Sequence, residues 1–150
     1  DKSDERVITE ENIVKTEAVS GSVESLSIDA KIGKILCICN PDKTDEIEDK
    51  IKKNYPALSV VKSFHTMIEI MAPGITKGSA VLELCRLWNI DVKRAAAFGD
   101  NFNDVEMLEE VGLPFLMENA PDELKQRFKT ITDSNNDEGI YKALVKMGAI

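Results

Sequence analysis

Acidic and amide side chains are concentrated in the segment AAAFGDNFNDVEML, residues 95–108, directly after a short apolar run. If that run is a buried strand, Asp100 leaves its tip, and Asp104 falls in the first turn of a helix that Asn103 caps. Two carboxylates at this spacing could converge on one hard cation, since Mg²⁺ prefers a few carboxylate oxygens together with water and phosphate. A solvated loop with a capping aspartate has the same composition, so the segment alone leaves both interpretations open.

Lys77, in the stretch GITKGSA, is the second candidate for chemistry. Lys77 and Gly78 stand where a helix is predicted to begin, and a helix N-terminus attracts anions. For a lysine taken alone, an ordinary exposed side chain is the more common explanation. A cation for phosphate followed by an aspartate pair for a metal, on successive strand–helix units, nevertheless indicates phosphate chemistry.

Two familiar ligand-binding loops are excluded by the residues present. A calcium-binding EF-hand loop that starts at Asp100 would need an oxygen ligand at position 102 and glycine at position 105, where Phe102 and Val105 stand. A phosphate-binding loop of the form GxxxxGK[ST] does not occur in the sequence.

Composition excludes several classes of partner and site. The net charge of -8 repels polyanions, so nucleic acid is not an expected partner, and no apolar run of membrane-spanning length or signal peptide is visible. Cys37, Cys39 and Cys85 are odd in number and His65 is the only histidine, which disfavours a disulfide framework or a zinc site. Reduced thiols and a cytoplasmic location are therefore expected.

The elements that would position these residues follow two different patterns. Up to Gly74 the pattern predicts strand, helix, strand, strand, at 34–39, 42–55, 58–64 and 66–72, with weaker strand signals between 13 and 28. From 77 onward helices and strands alternate, with strands predicted at 94–98, 112–117 and 129–132. This alternation predicts the α/β class, with a parallel sheet covered by helices. Ligands in such folds bind beyond the carboxyl ends of the strands, where Gly99 and Asp100 would lie.

Four segments in this order resemble the C-terminal half of a haloacid dehalogenase-type phosphatase: ITKGSAVLELCRLWNI, AAAFGDNFNDVEMLEEVG, MENAPDELK and TDSNNDEGIYKAL. The likeness is greatest to the Cof-like sugar-phosphate phosphatases. It implies that residues 74–150 form the C-terminal half of a Rossmann-like core and that residues 1–73 form the C-terminal part of an α+β cap domain. It further implies a Mg²⁺-dependent phosphatase of small phosphorylated metabolites, which works through an aspartyl phosphate.

The resemblance also implies a role for seven residues. Lys77 would be catalytic and hold the nucleophile and the phosphoryl oxygens. Gly78 and Asn103 would help to bind phosphate, and Asp100 and Asp104 would bind Mg²⁺ directly or through water. Gly99 would allow a sharp exit from the strand, and Asn119 would support the metal ligands from behind.

The departure from the family concerns the nucleophile. The family carries its nucleophile and acid/base residue in a DxD sequence on its first strand, and these 150 residues contain no DxD. We therefore expect either that an N-terminal segment is missing, or that another chain supplies it, or that the protein is a non-catalytic α/β binding module. By itself, the chain is expected to show no phosphatase turnover.

Overall fold

The computed structural model describes residues 3–25, 27, 29 and 31–150, and in this part of the chain the strands form two three-stranded sheets. The strands are β1 (Ile35–Ile38), β2 (Ser59–Phe64), β3 (Met67–Met71), β4 (Ala96–Gly99), β5 (Leu113–Met117) and β6 (Ile131–Thr132). The helices are α1 (Glu5–Val14), α2 (Thr44–Asn54), α3 (Lys77–Leu87), α4 (Val105–Glu110), α5 (Asp122–Arg127) and α6 (Gly139–Lys146).

The first sheet, here the antiparallel sheet, has the strand order β1–β3–β2. Helix α2 covers one face of it, where Ile47 and Ile51 pack against the buried side chains of Val60 and Ile68. Since side chains alternate between the faces of a strand, the residues between these positions point to the opposite face. That second face carries Glu69 and is turned toward residues 76–77 and 102–106.

The hairpin between β2 and β3 contains an irregularity at Ser63. Lys62 pairs with Ile68 and Phe64 pairs with Met67, so β2 advances by two residues where β3 advances by one. Ser63 is thus the extra residue of a β-bulge, which bends the strand and turns a backbone group away from the ladder.

The second sheet, here the parallel sheet, has the order β4–β5–β6 and all pairs in it are parallel. Its core includes Leu108, Leu116 and Leu124, which are almost fully buried. The chain order from α3 to α6 alternates helix and strand, so the predicted α/β class with a parallel sheet is confirmed. Among the described residues β4 pairs with β5 alone, which leaves its other edge open.

Two sequence expectations are wrong. The strands expected between 13 and 28 are absent from the described residues, which hold the end of α1 and a short 3-10 helix, Val23–Ser25. Two residues of that region, 26 and 28, lie outside the described part. The apolar run at 94–98 is expected to be a buried strand, but Ala96, the first residue of β4, is exposed.

None of the described helices combines sufficient length with sufficient apolar character to span a membrane.

Candidate active site

Lys77 and Asp104 meet at the carboxyl end of β4. Lys77 is the first residue of α3, and its Nζ donates a hydrogen bond to Asp104 Oδ1. The start of α3 is fixed by a capping box, in which Thr76 Oγ1 accepts from the Ser79 N–H at 3.1 Å and Ser79 Oγ accepts from the Thr76 N–H at 3.0 Å. The lysine side chain is 49% exposed, so its ammonium group contacts solvent as well as the carboxylate.

Asp104 is a buried carboxylate with partners on both oxygens. Its side chain is only 6% exposed, and Oδ2 accepts from the backbone N–H groups of Asp100 at 2.9 Å and Asn101 at 3.1 Å. Because buried charge is costly unless it is paired and hydrogen-bonded, these contacts explain how the carboxylate is accommodated. Asp104 thereby fixes both the ammonium of Lys77 and the loop of residues 100–104, here the acidic loop.

Asp100 presents its carboxylate in a different way. It is half-buried, and its Oδ2 accepts from Asn119 Nδ2 at 2.7 Å, while Asn119 Oδ1 accepts from the Asn135 N–H at 3.0 Å. No donor from the described residues reaches the other oxygen, Oδ1. Asn119 therefore links the acidic loop to the segment after β6, and it leaves one oxygen of Asp100 available to a ligand.

Gly99 and Gly78 are both explained by close packing. An added Cβ at Gly99 would lie 2.5 Å from Asp104 Cβ, and one at Gly78 would lie 2.8 Å from Glu106 Cβ. Neither glycine has a positive φ, so close packing rather than a left-handed backbone conformation accounts for glycine at both positions. Gly99 makes room for the Asp104 side chain. Gly78 lets α3 approach α4 closely, and this approach brings Lys77 within reach of Asp104.

The expectation that Asn103 caps a helix is wrong. The cap is Asn101, which precedes a short 3-10 helix, Phe102–Asp104, and helix α4 begins only at Val105. Asn101 and Asp104 have the spacing of a capping box, a signal that was present in the sequence and competed with Asn103. Asn103 instead lines a small cavity beside Lys77.

This cavity, of about 50 Å³, lies between the antiparallel sheet and the surface formed by the start of α3, the acidic loop and the first turn of α4. Val61, Glu69 and Met71 line it from the antiparallel sheet, and Lys77 and Asn103 are among the residues that line it from the other side. The Glu69 side chain is 16% exposed and pairs with Lys34 Nζ at 3.2 Å. Glu69 therefore faces the same cavity that Lys77 lines from the opposite side.

The donor set suits a magnesium ion only in part. Among the described residues no three His, Cys, Asp or Glu side chains lie close enough to share a metal ion. Magnesium is nevertheless held in many sites by one or two carboxylates, with water and phosphate oxygens completing its shell. The free Oδ1 of Asp100 fits the role of a direct ligand, whereas Asp104, whose oxygens already accept protein donors, fits contact through water.

Gly99→Ala is expected to destabilise the protein by about 2 kcal/mol, because the new methyl group overlaps Asp104 and cannot be accommodated without moving the acidic loop. The matched control is Gly33→Ala, since an added Cβ at Gly33 meets nothing within 4 Å. Urea denaturation followed by circular dichroism measures both free energies of unfolding. Equal stabilities for the two variants would contradict the packing explanation for Gly99.

Residues 1–144 match the profile of the haloacid dehalogenase-like hydrolases. A Haemophilus influenzae protein is 42% identical over 107 residues, which cover 71% of this chain and 41% of that protein. The 5-amino-6-(5-phospho-D-ribitylamino)uracil phosphatase YbjI of Escherichia coli is 34% identical over 109 residues, covering 69% of this chain and 40% of that enzyme.

Solved structures agree with the sequence relatives. A Thermotoga maritima protein is 30% identical, with a TM-score of 0.72 over 97% of this chain and 55% of that one. A haloacid dehalogenase-like hydrolase of Bacteroides thetaiotaomicron shares the fold at 21% identity, with a TM-score of 0.78 over 98% of this chain and 56% of that one. The chain spans less than half the length of the two sequence relatives. The family resemblance seen in the sequence is confirmed, and the chain belongs to the haloacid dehalogenase-like hydrolases.

Proposed function

We propose that these 150 residues carry the phosphate-binding and metal-binding part of a Mg²⁺-dependent phosphatase of small phosphorylated metabolites. The observation that carries the proposal is the contact between the Lys77 ammonium and buried Asp104 at the carboxyl end of β4, beside Asp100. A cation fixed next to a carboxylate with a free oxygen is the arrangement that a phosphate and its magnesium ion require.

In this proposal the side chains of the site divide the work. Lys77 binds the phosphoryl oxygens, and Asp104 holds the ammonium in place because it is itself anchored by two backbone N–H groups. Asp100 binds the metal through Oδ1 and is oriented by Asn119. Magnesium, when bound, neutralises charge on the phosphoryl group. Gly78 and Asn103 remain proposed contributors to phosphate binding, supported by their positions beside Lys77.

The nucleophile is proposed to come from residues other than these 150, since no DxD occurs among them. The open edge of β4 offers a position for a strand that would carry this nucleophile. A further strand that pairs in parallel with β4 would end at the same side of the sheet as Gly99, next to Asp100 and Lys77. Such a strand could come from the same polypeptide or from another chain.

The antiparallel sheet is proposed to act as the cap, with 1–73 as cap sequence and 74–150 as core sequence. Support comes from its uncovered face, which lines the cavity containing Lys77 and would lie over a bound phosphate. A phosphorylated small molecule as substrate is supported by the names of relatives, among them the E. coli enzyme above and the kanosamine-6-phosphate phosphatase of Bacillus subtilis. The three free cysteines of the chain support a cytoplasmic location.

Titration with Mg²⁺ tests the metal site in the 150-residue chain itself. In amide NMR spectra, wild type is expected to show saturable shifts at residues 100–104 and at the Asn119 side chain, and Asp100→Asn is expected to lose them because the free carboxylate oxygen is gone.

Asp42→Asn is the matched control, since it removes the same charge from an exposed aspartate of the Pro41–Lys43 turn. This control should respond to Mg²⁺ as wild type does. Saturable shifts that persist unchanged in Asp100→Asn would remove Asp100 from the metal site, and a wild type without any shift would refute the proposed metal site.

A further inference from the structure

The bulge in β2 gives the antiparallel sheet a direct hydrogen bond to the acidic loop. Ser63 has no partner in the β2–β3 ladder, and its carbonyl accepts from Asn101 Nδ2 at 2.7 Å. Bulges next to functional sites commonly redirect a group of the strand toward that site. Here the redirected group is the Ser63 carbonyl, and it reaches the loop that contains Asp100 and Asp104.

Asn101 uses its other groups inside the acidic loop. Its Oδ1 accepts from the Phe102 N–H at 2.8 Å, its backbone N–H donates to Asp104 Oδ2 at 3.1 Å, and its carbonyl accepts from the Asp104 N–H at 3.0 Å. The residue that touches the antiparallel sheet is therefore also the one that helps to fix Asp104, which in turn holds Lys77. A displacement of the sheet would pull on this chain of contacts.

A second contact between the same strand and the same loop lies beside this hydrogen bond. Lys62 Nζ lies 5.5 Å from the centroid of the Phe102 ring, within the range of a cation–π interaction. The side chain is held from the other side by Asp45 of α2 at 2.5 Å, and this hydrogen bond raises the pKa of Lys62. Lys62 thus stays protonated, and the strand keeps two contacts to adjacent residues of the loop.

We propose that Asn101 is a positioning residue that couples the antiparallel sheet to the Lys77–Asp104 pair through the Ser63 carbonyl. Its structural part stands on the contacts alone, and its catalytic meaning rests on the proposed function. This coupling keeps the sheet face that carries Glu69 at a fixed position relative to the Lys77 ammonium, the group proposed to bind phosphate.

The variant Asn101→Asp removes the hydrogen bond to the Ser63 carbonyl but keeps the helix-capping role of residue 101. It removes the Nδ2 donor and places a carboxylate against the Ser63 carbonyl, whereas aspartate remains a good helix cap and can still accept from the Phe102 N–H. Asn136→Asp is the matched control, because it introduces the same charge at an exposed position in a short 3-10 turn. The 150-residue chain is used for both variants.

NMR reads one consequence on each side of the coupling. The Asn101→Asp variant is expected to shift the ¹⁵Nζ signal of Lys77 and to speed amide exchange in β2 around Ser63 by about tenfold, equivalent to about 1.4 kcal/mol. The control should leave both unchanged. A Lys77 signal and a β2 exchange rate equal to those of wild type would overturn the proposal, as would a uniform loss of stability with no local change. Neither readout involves Mg²⁺ or turnover, so failure of the metal site leaves this test intact.

Discussion

Hydrolysis of p-nitrophenyl phosphate by the purified 150-residue chain is expected to proceed no faster than in buffer, with or without Mg²⁺. Lys77, Asp100 and Asp104 can bind, orient and neutralise a phosphate, but no step available to them replaces attack by a nucleophile. In a protease that also works through a covalent intermediate, loss of the nucleophile alone lowers turnover roughly a million-fold. A colorimetric assay at high protein concentration measures the rate.

The control for this experiment is binding in the same preparation. Orthophosphate with Mg²⁺ should perturb the amide signals of residues 77 and 100–104, which shows that the site is folded while turnover is absent. Magnesium-dependent turnover that disappears in Asp100→Asn would contradict the expectation, because it would place a nucleophile within these 150 residues.

The same assay separates the enzyme from the alternative of a non-catalytic binding module. A polypeptide that contains an apolar strand followed by Asp-x-Asp, added in trans or joined before Asp1, should restore turnover if the open edge of β4 receives it. Phosphate binding without turnover in every such combination would favour the binding module.

The sequence was informative wherever local pattern and burial agree. The short apolar run before Gly99 becomes β4, and the alternation of helix and strand after Lys77 gives a parallel sheet, because parallel neighbours need a crossover connection, usually a helix, between them. The proximity of Lys77 and Asp104 followed from topology, since both stand at the carboxyl edge of one sheet.

The contacts between the two sheets could not be read from the sequence. Asn101 and Glu69 acquire their roles from a bulge at Ser63 and from the packing of the antiparallel sheet against the acidic loop and the start of α3, and neither feature leaves a periodic signal in the sequence.

Asp104→Ala is expected to lower the free energy of unfolding by about 3 to 4 kcal/mol, the largest loss that the site predicts for one side chain. The truncation removes the acceptor of two backbone N–H groups in the acidic loop and the partner of Lys77 at once. Against a typical stability of about 5 to 15 kcal/mol for such a domain, this is a large fraction. Urea denaturation measures it.

Two further variants apportion that loss between the loop and the lysine. Asp104→Asn keeps an oxygen for the backbone N–H groups but turns an amide donor toward Lys77, so about half of the loss is expected. Lys77→Met leaves the carboxylate its two backbone donors, and since the lysine is 49% exposed, it should cost least.

The order of these losses in the free energy of unfolding shows which role of Asp104 dominates, anchoring the acidic loop or pairing with Lys77. If the anchoring of the acidic loop dominates, alanine costs most, asparagine less and Lys77→Met least, while Asp100→Asn changes stability little because the Asp100 side chain accepts one hydrogen bond, from Asn119. An Asp100→Asn variant as unstable as Asp104→Ala would instead mean that both carboxylates are structural. The division of the pair into a metal ligand and an anchor for the lysine would then fail.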